Sequence, residues 1–248
     1  MTTTVQTSAP TRRAPDPMRR TARTAGILYL LTFVSIPTLA LYQGVRGDAD
    51  FVLGAGSSTG VLVAAFTEVV VAVTCVGTAV VLFPVLRRQS ETAAIGFVAS
   101  RVMEGTLIIV GVVSVLTLVT LRTDVAGTAG ADPASLVTTG RMLAAVYDWT
   151  FVLSQSFFPA FNALCLGYAL YRSGLVPRIL PTLGLIGAPL LLISDMAVLF
   201  GLYDRTDTIA AIPAIPIAVW EFSLGIYLTV KGFRPSAVAR LRSAQAVG

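Results

Sequence analysis

The chain of 248 residues contains no histidine. That absence removes His-ligated haem, the usual zinc sites and imidazole general-base catalysis together. Cysteine is scarce: Cys75 and Cys165 stand alone inside apolar runs, with no CxxC and no disulfide framework, so both read as buried structural thiols. Charged residues make up only 12% of the chain, against about 25% in soluble domains. Enzymatic signatures are missing too. There is no HExxH, no GxSxG and no recognised catalytic aspartate pair, and Ser154 and Ser194 have no histidine to activate them. The expectation is a protein that is not an enzyme, takes no cofactor and holds no metal.

What the chain has is apolar length, with 55% of its residues hydrophobic. Apolar runs cover about 25–42, 60–86, 92–121, 141–171, 179–201 and 208–230, and a helix needs about 20 such residues to cross a bilayer core. The fold class is therefore all-α: a polytopic integral membrane protein built as a six-transmembrane-helix bundle. Residues 1–24, with Arg12, Arg13, Arg19, Arg20 and Arg23, are expected to be a disordered basic cytoplasmic tail, and 231–248 a second basic tail. Arginines ahead of the first run also fit a signal peptide, with Thr38-Leu39-Ala40 as a passable cleavage site. The run is long for such a segment, which favours a retained anchor kinked by Pro37. Gln43 to Thr59 reads as a short polar loop and Arg122 to Gly140 as the longest loop.

Basic residues set the orientation. Thirteen of the 18 fall on the side carrying both tails and the 87–91 and 172–178 turns. Arg46, Arg122, Arg141 and Arg205 fall on the other, and Arg101 lies inside a span. The positive-inside rule places both termini in the cytoplasm. Basic segments beside apolar spans orient the chain and do not mark nucleic-acid binding. The expected partners are membrane lipid and either a small cationic ligand or a membrane-protein partner; no residue pattern indicates an oligomeric state.

The third span is the stretch around which the bundle is expected to form. Arg101 and Glu104 sit near its middle, at about 2.5–3.5 kcal/mol each on the insertion scale. Its dozen larger apolar residues return about 4–7 kcal/mol in total. Such a helix is near break-even alone and needs neighbours that receive its charges. Spans two to six each carry one acid: Glu68, Glu104, Asp148, Asp195 and Glu221. Topology puts these acids at the midplane and in the outer half, which suggests a polar cavity opening outward. One arginine cannot neutralise five acids, so the remainder must hold protons or meet water. Arg101 can pair with Glu104 on its own helix face or reach across to Glu68 or Glu221. In the fourth span Arg141, Asp148, Gln155 and Asn162 recur every seven residues, which places them on one helix face pointing into the bundle. Tyr147 and Trp149 fit anchors at the membrane boundary, whereas Trp220 lies too deep for that role.

Two readings of these residues stand side by side. In one, Arg101, Glu104, Glu68, Glu221, Asp148, Asp195, Gln155 and Asn162 line a ligand- or proton-binding cavity of a small transporter or sensor. In the other, the charges lock the helices together in a non-catalytic component that stabilises or regulates a partner complex.

Four stretches carry a family resemblance: RTARTAGILYLLTFVSI at the start, SRVMEG in the third span, LCLGYALYRSGLVPRIL at the end of the fourth, and AVWEFSLGIYLTVKGF in the sixth. Their order and spacing, from about Arg20 to Arg234, resemble a bacterial membrane family known as domain of unknown function 4386. The resemblance implies a six-helix protein of the bacterial plasma membrane, with no assigned activity, cofactor or catalytic residue. Family-like positions are Arg101, Glu104, Tyr168, Tyr171, Arg172, Ser173, Pro177 and Glu221. Ser100 departs from a large apolar residue, and Asn162 stands where many relatives carry histidine.

Overall fold

The computed structural model describes residues 16–246, apart from 49, 55–56 and 205–206. Most of the expected N-terminal tail, at 1–15, and Arg205 lie outside the described residues. Every regular element among the described residues is helical.

Helix α1 (Pro17–Leu31) begins earlier than expected. Asp16 caps it by accepting the Met18 N–H (3.1 Å), and Pro17 occupies the first turn, where no backbone donor is needed. Met18, Ala22, Ala25 and Tyr29 then fall at helical spacing and face the bundle. Residues 17–24 are therefore part of the first helix, a correction to the expected disordered tail. The α-helix stops at Leu31 and continues as a 3-10 turn (Thr32–Ser35) to Pro37, which precedes the short α2 (Thr38–Leu41). The expected polar loop after it contains α3 (Gln43–Gly47) and a 3-10 turn at Phe51–Leu53.

Helices α4 (Thr59–Leu86) and α5 (Glu91–Thr120) are joined by a tight turn whose Ser90 caps α5 through the Ala93 N–H. The next correction is to the longest loop. Asp132 accepts the Ala134 and Ser135 N–H groups and Pro133 follows it, so α6 (Pro133–Val152) starts there and the loop shrinks to 126–132. Through a π-helical turn (Leu153–Phe157), α6 continues into α7 (Phe158–Ser173). Helix α8 (Ile179–Leu199), α9 (Thr208–Ala211) and α10 (Ala214–Val230) complete the spans. At Gly232 φ is +74°, a left-handed conformation that reverses the chain and lays α11 (Pro235–Ala246) across the end of the bundle.

Six helical stretches are long and apolar enough to cross a membrane: Pro17–Leu41, Thr59–Leu86, Glu91–Val125, Pro133–Ser173, Ile179–Leu199 and Thr208–Val230. They close into a ring in chain order. Successive spans pack on one another, and α1 packs on both α4 and α10. The third span is thus one member of the ring and not a helix surrounded by the others. Phe66, Val73, Ile95, Ile186, Ile193 and Val230 point outward and exposed from the spans, an apolar surface suited to hydrocarbon and not to water.

Candidate functional site

Arg101 is fully enclosed. Its Nη1 donates to both Glu104 carboxylate oxygens (3.0 and 3.1 Å), one helical turn along α5, and its Nη2 donates to Glu221 on α10 (2.8 Å). The rings of Tyr29 and Phe97 stand 4.8 and 5.7 Å from the guanidinium carbon, where ring faces attract a cation. Glu104 also accepts from the Cys75 thiol (3.2 Å) and from the Asn162 amide, so hydrogen bonds join four spans at one carboxylate and its arginine, and Tyr29 adds a fifth. Arg101 Nε, Asn162 Oδ1 and Trp220 Nε1 are buried with no protein hydrogen-bond partner.

The other acids stand apart from this cluster. Glu68 accepts from Tyr147 (2.7 Å) and Tyr42 (3.4 Å), whose rings meet edge to face at 5.0 Å. Asp148 pairs with Arg46 at 3.0 Å. Asp195 accepts from Ser156 (2.6 Å), and its second oxygen has no protein partner. The acids therefore do not gather in one outward cavity; each of these three finds its own donor, because an unpaired carboxylate at membrane depth is too costly. Arg101 reaches across to Glu221 and not to Glu68. Tyr147 is buried against Glu68 and is not a boundary anchor, whereas Trp149 is exposed and Trp220 is enclosed.

The fourth-span stripe divides in the same way. Arg141 and Asp148 line a cavity of about 270 Å³ with Arg46 and Asp48 at the end of the bundle away from the termini. Gln155 faces a second cavity deeper in, and Asn162 bonds Glu104. The π turn, which itself carries Gln155, marks where the two halves part. Its cause is local: Pro159 has no N–H for the Gln155 carbonyl, and its ring crowds that turn.

The second cavity, about 290 Å³, is the site the architecture builds. Arg101, Glu104 and Glu221 form its charged wall, and Gln155 and Phe151 its side. Three departures from regular α-helix border it: the 3-10 turn of the first span (Thr32, Phe33, Ser35), the π turn of the fourth, and the proline-capped start of α10 (Ala214, Ile217, Ala218). Irregular backbone at membrane depth is tolerated where it lines a cavity. Here Thr32, Ser35 and Thr38 hydroxyls donate back to carbonyls of the broken first span (2.7, 3.3 and 2.6 Å). Sequence reasoning found the charged wall but not Tyr42, Arg46, Cys75 or Ser156 as partners; the signal for them was a lone acid in a span that needs a donor at its own depth.

These features define a multi-pass membrane protein with a charged cavity inside a ring of six spans. The chain belongs to the family described as Domain of unknown function (DUF4386), whose profile matches residues 24–232. No curated protein and no solved structure matches it significantly.

Proposed function

We propose that this protein is a small transporter or sensor of the bacterial plasma membrane, with both termini in the cytoplasm, that takes a small cationic solute, coupled to a proton, in the cavity beside Glu221. The observation that carries this reading is convergence: three interrupted spans and the only inter-span arginine–carboxylate cluster among the described residues meet at one cavity. Such breaks are costly in lipid and are kept at binding sites of transporters. The volume, about 290 Å³, is at the small end of ligand sites. One guanidinium faces two carboxylates, which leaves a negative charge to be matched by a proton or a cation. The proposed role is binding, and among the described residues no group of ligands that could hold a metal stands at the cavity.

The mechanism follows from where the bonds run. Arg101–Glu104 stays within α5, whereas Arg101–Glu221 ties α5 to α10. A cation that competes for Glu221 loosens only the second tie and frees α10 to move against α5. Such a tie between helices with two arrangements is the kind of element that couples binding to motion. The test is a panel of inorganic cations and small amines, read as shifts in melting temperature of purified protein, for wild type and Glu221→Gln. A shift seen with wild type and lost in Glu221→Gln supports the reading. Shifts that persist unchanged in the variant would sink it.

The enclosure of Arg101 favours one second reading, in which the charges are a structural lock within a component that stabilises or regulates a partner complex. In that case no cation shifts the melt, and Glu221→Gln destabilises sharply.

A further inference from the structure

The largest of the described cavities, about 520 Å³, lies at the end of the bundle that carries both termini. It is formed by the start of α1, the end of α10 and the reversing α11, so it exists only because Gly232 turns the chain back under the spans. Two bonds tie this segment to the 173–175 turn: the Arg234 N–H donates to the Leu175 carbonyl (2.8 Å), and Arg240 reaches the Ser173 carbonyl (3.4 Å). The lining is of two kinds. Arg19, Lys231 and Arg242 supply positive charge, and Val230, Phe233 and Val238 supply an apolar surface.

Charge here is in excess. Arg242 pairs with Asp16 at 2.7 Å, an exposed contact, while Arg19 and Lys231 have no acidic partner among the described residues. Val230, the last residue of α10, is exposed toward what would be hydrocarbon, next to Lys231. Cations directly beyond an apolar face, with a cleft between them, match a molecule that carries a phosphate on an acyl chain. A soluble phosphate would gain nothing from the exposed Val230, or from the edges of Phe233 and Val238, which are otherwise packed in the core.

We propose that this cleft is a binding site for the headgroup of an anionic phospholipid, such as phosphatidylglycerol, with Arg19 and Lys231 as its phosphate-facing cations. The site is separate from the Glu221 cavity and does not depend on the function assigned to it. Each basic side chain near an anionic lipid contributes about fivefold in affinity.

The test uses full-length protein in neutral detergent, titrated with dioctanoyl phosphatidylglycerol, dioctanoyl phosphatidylcholine and glycerol phosphate, with bound molecules counted by native mass spectrometry. One phosphatidylglycerol should bind in preference to phosphatidylcholine. Arg19→Gln and Lys231→Gln should each weaken it about fivefold. Arg88→Gln, at the same end of the bundle but outside the cleft, should leave it unchanged. Asp16→Asn keeps the helix cap and removes the one acid on the rim, so it should tighten binding. Equal weakening by Arg88→Gln would show diffuse attraction and overturn the proposal. Competition by glycerol phosphate at the lipid's own concentration would make it a phosphate site, and equal binding of both lipids would remove the site altogether.

Discussion

At the residue scale, the structure ranks the intramembrane acids by what each loses when its donor is removed. Glu68 has two phenol donors, of which Tyr147 is the close one at 2.7 Å and Tyr42 the distant one at 3.4 Å. Tyr147→Phe should destabilise by about 1–3 kcal/mol, the range for a buried acceptor left short of a donor, and Tyr42→Phe by under about 1 kcal/mol. Chemical unfolding of the two variants in detergent checks the order; equal losses would mean that Glu68 is held by something other than Tyr147. Arg101 is a harder case. Arg101→Ala strands Glu104 and Glu221 together and should cost about 3–5 kcal/mol. Glu221→Gln keeps a carbonyl oxygen for the Arg101 Nη2 and should cost well under that. Measured by the same unfolding, a Glu221→Gln loss as large as that of Arg101→Ala would favour the lock over the binding cavity.

Among the elements, the closure of the ring between α1 and α10 depends on close backbone approach. A Cβ on Gly26 would lie 2.5 Å from the Thr229 nitrogen and 2.7 Å from the Gly225 carbonyl, backbone atoms that cannot swing aside. Gly26→Ala should therefore cost at least about 1–3 kcal/mol, the usual overpacking range. Gly127→Ala, with nothing within 4 Å, should be close to neutral. Thermal melts of the pair check this, and a silent Gly26→Ala would mean that α1 and α10 do not pack this closely. The existence of the six spans was legible in the sequence because 20-residue apolar runs admit few alternatives. Their ends and irregularities were less legible. The Asp-Pro pairs at 16–17 and 132–133 are helix-start signals, and they moved two helix starts away from where hydropathy alone placed them. The heptad reading of Arg141, Asp148, Gln155 and Asn162 assumed a continuous α-helix. Pro159 breaks that assumption from four residues away, and the stripe divides: Arg141 and Asp148 line one cavity, Gln155 lines another, and Asn162 bonds Glu104. Arg101, Glu104 and Glu221 were legible as a set because charges in a span have few places to go. Which acid Arg101 reaches was not legible: Glu68 lies on the adjacent α4 but is held by Tyr147 and Tyr42, and Arg101 instead spans the ring to Glu221 on α10.

The molecule as a whole is electrically polarised along the axis of its spans. At the end with both termini, eleven described basic residues, from Arg19 to Arg242, face two acids, Asp16 and Glu91. At the opposite end Arg46, Arg122 and Arg141 face six acids: Asp48, Asp50, Asp124, Asp132, Asp204 and Asp207. Only the basic residues count in the orientation rule, and they are concentrated in short segments beside span ends, where the rule applies. The terminal end should therefore lie in the cytoplasm, and the Glu221 cavity, bordered by 32–39 and the start of α10, should sit in the half nearer the outside. Two fusions to the intact chain test this. A fluorescent protein on the C-terminus should light up, since it matures in the cytoplasm. Alkaline phosphatase inserted in the 126–132 loop should be active, since it folds only on the oxidising side of the membrane. A dark C-terminal fusion together with an inactive loop insertion would invert the molecule. The Glu221 cavity would then be reached from the cytoplasm, and the basic cleft of α11 would meet the outer leaflet. Bright fluorescence with active phosphatase places that cleft against the cytoplasmic leaflet, whose anionic lipids are the ones its cations would find.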